Sequence, residues 1–212
     1  MTVQLPVHCS RSSLLNWPNR LTIARILLVA PLVICLLNLN SGWAGWRHLA
    51  IVLFGLMAAS DGLDGYLARH LHAETALGGF LDPVADKLLV TCAVVLLAIE
   101  PTAVPGFQLP SWVPVIAIGK DVLIVIGFLL VYAASGAFML QPRALGKACT
   151  LVQLILVAYV LVAPSLPVRV PWLLTALSAG ASLVAVIALA DYIREGNRFA
   201  AEQLSKRQDL GR

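Results

Sequence analysis

The sequence predicts an all-α integral membrane protein with six transmembrane helices, both termini cytoplasmic and a short N-terminal interfacial segment. Three observations predict it. The 212 residues are 59% hydrophobic and only 12% charged, where a soluble domain carries about 25% charge. The apolar residues gather into stretches at 21–39, 47–67, 77–99, 112–133, 145–163 and 171–193, each close to the roughly 20 residues a spanning helix needs. The basic residues fall mainly on alternate connections, as orientation in a membrane requires.

Residues 1–20 read as a juxtamembrane segment. The stretch "SSLLNWPNRLT" puts Leu14, Leu15 and Trp17 just before the first apolar run, which suits a helix lying in the headgroup layer. Asn19, after Pro18, is placed to cap helix 1. The first run is too long for a signal peptide, contains Arg25 and lacks a small-residue cleavage site, so it reads as a span. Trp43 and Trp46 precede helix 2 at a depth that suits the opposite interface. Helix 3 follows a short polar connection. Helix 4 carries Lys120 and Asp121, charges too costly in lipid to be incidental; they are expected to pair or to face a cavity. Helix 5 begins beside Lys147. Helix 6 runs into a basic tail, 195–212, read as its solvated extension. The domain division is therefore 1–20, a six-helix domain at 21–194, and the tail.

Orientation follows from the charges. Arg11, Arg20 and Arg25 precede or enter helix 1, and Arg69 follows helix 2. Arg143 and Lys147 separate helices 4 and 5. Arg194, Arg198, Lys206, Arg207 and Arg212 follow helix 6, while the opposite connections hold only Arg47 and Arg169. Both termini and the connection after helix 2 are thus expected on the cytoplasmic side. The net charge of +4 suits anionic lipid headgroups, and there is no nucleic-acid-binding module. Cys9, Cys35, Cys92 and Cys149 show no CxxC spacing and read as buried free thiols. His48, His70 and His72 have no recognisable metal-binding partners.

One polar stretch interrupts this pattern: "DGLDGYLARHLHAETALGGFLDPVADK", residues 61–87. Asp61 and Asp64 are spaced i, i+3 at the end of helix 2. Asp82 and Asp86 are spaced i, i+4 near the start of helix 3. Each pair shares one helix face. Helices joined by so short a connection are expected to be antiparallel neighbours, so four carboxylates converge. Bare carboxylates at that distance repel, and some would stay protonated. Divalent cations remove the conflict, and an all-oxygen donor set suits Mg²⁺ or Mn²⁺. Four carboxylates can hold two metals, the arrangement that clamps phosphoryl transfer. Gly62, Gly65, Gly78 and Gly79 leave room for a bulky ligand, and Arg69 suits a phosphate. Capping helix ends, or pairing with Arg69 and Lys87, would explain Asp82 before Pro83 but not two same-face pairs.

In order, the fixed positions are Asp61, Asp64, Gly65, Ala68, Arg69, Gly78, Asp82 and Asp86. This pattern resembles the signature of the CDP-alcohol phosphatidyltransferase family at every fixed position. The likeness extends from "NWPNRLTIARILLVAP" through "LGGFLDPVADKLLV" to "GKACTLVQLILVA". It implies transfer of a phosphatidyl group from CDP-diacylglycerol to an alcohol, with release of CMP. It implies that Asp61, Asp64, Asp82 and Asp86 ligate two divalent cations, Mg²⁺ or Mn²⁺, and that Asp86 is the general base. Gly65, Ala68, Arg69 and Gly78 would lie against the CDP moiety. Arg25, Lys120, Arg143 and Lys147 are candidates for holding the acceptor. Members are often homodimers.

Within the family, "IGKDVLIVIG" and "GKACTLVQLILVA" look more like the CMP-forming cardiolipin synthases, whose acceptor is phosphatidylglycerol. Lys120 stands where that branch commonly has Arg. The alternative acceptor is glycerol 3-phosphate, giving phosphatidylglycerophosphate. The resemblance also implies a bacterial inner membrane, with the site at its cytoplasmic side. A non-catalytic membrane protein that binds metal or lipid is a separate reading, which an intact base at Asp86 opposes. An ion pathway would spread ionisable groups over several depths, whereas these cluster at one end.

Overall fold

The computed structural model describes residues 17–43, 45–71, 76–135, 144–167 and 170–210. Among them there is no strand. Six α-helices follow one another: α1 (Trp17–Leu37), α2 (Gly45–Leu71), α3 (Ala76–Ala98), α4 (Trp112–Ser135), α5 (Ala144–Val162) and α6 (Pro171–Leu210). A short 3₁₀ turn, Ala163–Ser165, extends α5. The predicted all-helical class and the six helical stretches therefore hold.

Three stretches are long and apolar enough to cross a membrane: Trp112–Ala133, Leu145–Ser165 and Trp172–Phe199. The apolar parts of the first three helices are shorter among the described residues, at Ile26–Leu37, Gly45–Ser60 and Lys87–Ala98. Large apolar side chains cover the outside of the bundle, with Val115, Leu130 and Leu129 of α4 well exposed. Such a surface would drive association in water and suits lipid as the solvent.

One boundary differs from expectation, and another extends as expected. Helix α1 already includes Trp17, Pro18 and Asn19, so Asn19 lies within the helix and not at its cap. At the other end, α6 continues unbroken to Leu210, as the solvated extension predicts. Its 40 residues span about 60 Å at 1.5 Å per residue, twice a hydrocarbon core of roughly 30 Å. Of the interfacial segment expected over residues 1–20, residues 1–16 lie outside the described residues and the last four belong to α1.

Among the described residues, the larger buried cluster lies toward one end of the bundle. Leu32, Cys35 and Leu36 of α1 meet Phe54 and Met57 of α2, Leu89, Ala93, Val94 and Leu97 of α3, and Leu156, Val157 and Val160 of α5. The connection between α3 and α4 folds back into this core through Val104, Phe107 and Leu109. It is held there by hydrogen bonds from the Leu109 amide to the Leu97 carbonyl (3.1 Å) and from Gln108 Nε2 to the Ala98 carbonyl (2.9 Å). Asn40, in the α1–α2 turn, donates to the carbonyls of Pro101 and Ala103. Arg47 donates to Ser165 Oγ at 2.9 Å. The α1–α2 turn, the α3–α4 connection and the α5–α6 connection are thereby gathered at this same end.

Among the described residues, α1 packs on both α2 and α3, and α5 packs on α2, α3 and α6. The ends of α2 and α3 next to their short connection, where these two helices are expected to meet, have side chains outside the described residues. Helix α4 packs on α3 and α6. Gly127 faces Tyr192 and Gly196 faces Val131, so α4 and α6 run parallel. Small residues let their backbones approach. Cys35 and Cys149 are buried free thiols, and Cys92 is a half-buried one, as expected; Cys9 lies outside the described residues.

Candidate active site

Helices α2 and α3 carry the four aspartates. Asp61 and Asp64 lie within α2, two to three turns before its end at Leu71. Asp82 and Asp86 lie within α3, past its first turn. Neither pair sits at a helix end, so capping does not account for them. Along α2, Asp61 and Asp64 are about 24–29 Å from Gly45, and along α3, Asp82 and Asp86 are about 18–24 Å from Ala98. Gly45 and Ala98 both lie at the core end, since Asn40 links their adjoining connections. The two helices therefore carry both pairs toward the opposite end. The side chains of all four, and those of Ala68 and Arg69, lie outside the described residues, as do Arg143 and the Arg25 side chain. Gly65 and Gly78 are helical positions on α2 and α3.

The described part of this region begins one residue after Asp86. Lys87 Nζ donates to Asp121 Oδ1 at 2.5 Å. Lys120 Nζ donates to the same oxygen at 2.5 Å. The Lys120 side chain is only 9% exposed, against 27% for Asp121 and 49% for Lys87. The pairing expected for Lys120 and Asp121 is present, and they also line a cleft. That narrow cleft between α3, α4 and α5 is lined by Lys87, Thr91, Lys120, Asp121, Thr150 and Gln153. One carboxylate between two ammonium groups leaves an excess positive charge beside the helix segment that bears Asp82 and Asp86. Such a charge inside an apolar bundle is stabilised by partners or a ligand.

Lys147, another candidate for holding the acceptor, is exposed in the first turns of α5, at the aspartate end of the bundle. His48 is exposed on α2 near the core end, far from the aspartates. Sequence reading passed over Lys87, Thr91, Thr150 and Gln153. The one available signal was Asp121, a lone acid in helix 4 beside a single lysine. Its second cation comes from a residue 34 positions away, which no local pattern reveals. Among the described residues no group of His, Cys, Asp and Glu could hold a metal. The donors predicted for that role are the four aspartates.

The profile of the family described as CDP-alcohol phosphatidyltransferase matches residues 15–200, nearly the whole helical bundle. The chain belongs to the CDP-alcohol phosphatidyltransferase family. The match contains all eight motif positions and both lysines that meet Asp121.

The chain is also similar to relatives with assigned names. It is 49% identical over 86 residues to a CDP-diacylglycerol–glycerol-3-phosphate 3-phosphatidyltransferase of Pseudomonas fluorescens, covering 41% of this chain and 43% of that protein. It is 35% identical over 157 residues to the protein of the same description from Bacillus subtilis, covering 69% of this chain and 76% of that one. It is 41% identical over 113 residues to a CMP-forming cardiolipin synthase of Oryza sativa, covering 52% of this chain and 33% of that protein. Several relatives are thus matched over less than half of their own length.

Proposed function

We propose that the chain transfers a phosphatidyl group from CDP-diacylglycerol to an alcohol and releases CMP, at the end of the bundle to which α2 and α3 carry the aspartates. The observation that carries this reading is the eight-position motif, Asp61 to Asp86, lying inside the family match at residues 15–200. In this reading the catalytic domain is 21–194, preceded by the juxtamembrane segment 1–20 and followed by the tail 195–212. All six helices span the membrane, both termini are cytoplasmic, and the host is a bacterial inner membrane.

The donor set fits divalent cations. Asp61, Asp64, Asp82 and Asp86 are hard oxygen ligands, borne as same-face pairs on two helices, and they would hold two Mg²⁺ or Mn²⁺ ions. When bound, the ions would supply Lewis-acid neutralisation of the diphosphate. Asp86 accepts the proton of the acceptor hydroxyl as that oxygen attacks the lipid-side phosphorus. The bond from that phosphorus to the CMP oxygen breaks, and CMP departs with the electron pair. A well-placed base contributes about 10²–10⁴ in rate. Gly65 and Gly78 leave space for the CDP moiety, while Ala68 and Arg69 flank it, Arg69 meeting a phosphate through paired N–H groups.

The acceptor is a glycerol that carries a phosphate. Phosphatidylglycerol, yielding cardiolipin, is the first reading, from the pattern of helix 4 and the rice relative. Glycerol 3-phosphate is the second, favoured to a similar degree by the Pseudomonas and Bacillus relatives. Both acceptors offer a phosphate to Arg25, Lys120, Arg143 and Lys147. Lys120 gives one of its N–H donors to Asp121 and keeps others for this phosphate. A homodimer, common in the family, is part of the same reading.

The test supplies purified protein with CDP-diacylglycerol and Mg²⁺, and adds each acceptor in a separate reaction. Cardiolipin formed with phosphatidylglycerol alone supports the first reading. Phosphatidylglycerophosphate formed with glycerol 3-phosphate alone replaces it with the second. No CMP release with any alcohol would overturn phosphatidyl transfer and favour a non-catalytic metal- or lipid-binding protein.

A further inference from the structure

Among the described side chains, α3 enters the apolar core through Leu89, Val90, Ala93, Val94 and Leu97. Among the described residues, the tie nearest to the aspartates of α3 is polar, from Lys87 to Asp121 of α4. The second contact of Asp121, with Lys120, stays inside α4 and restrains nothing between helices. We propose that Lys87 and Asp121 are a positioning pair, which joins α3 to α4 one residue from Asp86 and so holds Asp82 and Asp86 in place for the reaction. This rests on the phosphatidyl-transfer reading.

The physical argument has three steps. Between helices in lipid there is little hydrophobic driving force, because lipid tails are as apolar as leucine. Polar ties between helices therefore weigh more in fixing rotation and sliding. The Lys87–Asp121 pair supplies such a tie, with its carboxylate half-buried at the cleft, since charge attraction grows as the local dielectric falls. Successive residues on a helix are separated by about 100°, with a rise of 1.5 Å. Fixing Lys87 therefore fixes where the backbone of Asp86 points. Misplacing a catalytic group by about 1 Å can cost roughly a hundredfold in rate. Lys120, almost fully buried, donates to the same oxygen of Asp121 that meets Lys87.

The test compares Lys87→Met, Asp121→Asn, the double variant and Lys87→Arg in the full-length protein. Readouts are kcat and KM at saturating Mg²⁺, Mn²⁺ binding by electron paramagnetic resonance, and thermal unfolding in detergent. Lys87→Met is expected to lower kcat by about 10–100-fold and to leave KM for CDP-diacylglycerol within about twofold. Lys87→Arg recovers most of that loss. The double variant is no slower than the worse single one, because the two residues act through each other.

Mn²⁺ binding has a decisive sign. Removing a nearby positive charge alone would tighten a cation site, whereas loosening its ligands weakens it. Weaker Mn²⁺ binding in Lys87→Met is therefore expected. Tighter or unchanged Mn²⁺ binding, losses in kcat that multiply in the double variant, or a raised KM with intact kcat would each overturn the proposal. Should Lys87→Met fail to fold, Lys87→Gln carries the same expectations. A wild-type protein that releases no CMP with any alcohol overturns the transfer reading instead, and Mn²⁺ binding still decides whether the pair positions its neighbours.

Discussion

The side-chain amide of Asn40 donates to the carbonyl of Ala103 at 3.1 Å, and also to that of Pro101 at 3.0 Å. Two connections that are distant in sequence, the α1–α2 turn and the α3–α4 segment, are joined by one residue. This junction levels α2 and α3 at the core end, and it thereby sets how far each carries its aspartates. Asn40→Ala removes both bonds. It should cost about 1–2 kcal/mol of stability, visible as a lower unfolding temperature in detergent. Turnover at low temperature should be retained, and a full loss of turnover in a folded Asn40→Ala protein would refute this.

Asp86→Asn keeps the size of the side chain and removes its basicity. Turnover should fall by at least about 10²-fold, while much of the affinity for CDP is kept, as read by equilibrium binding of the nucleotide. Full activity in this variant would remove Asp86 as the base.

Chelation tests the metal reading. Incubation with EDTA should stop CMP release, and added Mg²⁺ or Mn²⁺ should restore it. Unchanged turnover in a sample shown to be metal-free by elemental measurement would sink the two-ion arrangement.

Packing between α4 and α6 gives a prediction independent of catalysis. Gly196 is buried against Val131, where an added Cβ would meet the valine at 3.7 Å, an ordinary contact. Gly196→Ala should therefore be accepted and should stabilise α6 by up to about 1 kcal/mol through helix propensity. Gly196→Leu forces the helices apart and should destabilise by about 1–3 kcal/mol. Thermal unfolding of the two variants, compared with wild type, checks both signs.

Much of this protein can be read from its chain alone, because the relevant signals are local. Apolar runs of spanning length, broken by Pro, Gly and charge, locate six helices to within a few residues. The spacing of Asp61, Asp64, Asp82 and Asp86 makes them the proposed donor set for divalent cations, since i, i+3 and i, i+4 positions share a helix face whatever surrounds them. The motif then led to the family. Pro18 reads as a helix start and makes Asn19 a candidate cap, yet α1 already includes Trp17.

Which helices are neighbours was settled only in three dimensions. Helices that are apolar on nearly every face offer little contrast between inward and outward sides, so periodicity could not show that α1 and α5 lie against both α2 and α3. Nor could it show that Lys87 crosses to Asp121. Lys120 and Asp121 announced themselves as adjacent charges in an apolar helix. Lys87 looked like one more charge in a polar stretch, and only the antiparallel packing of α3 on α4 brought it to its partner. The sequence by itself determined the helices and the motif that marks the family. The tertiary structure decided that Lys87 of α3 meets Asp121 of α4, because a long-range ion pair depends on the approach of two backbones and not on the residues beside either one.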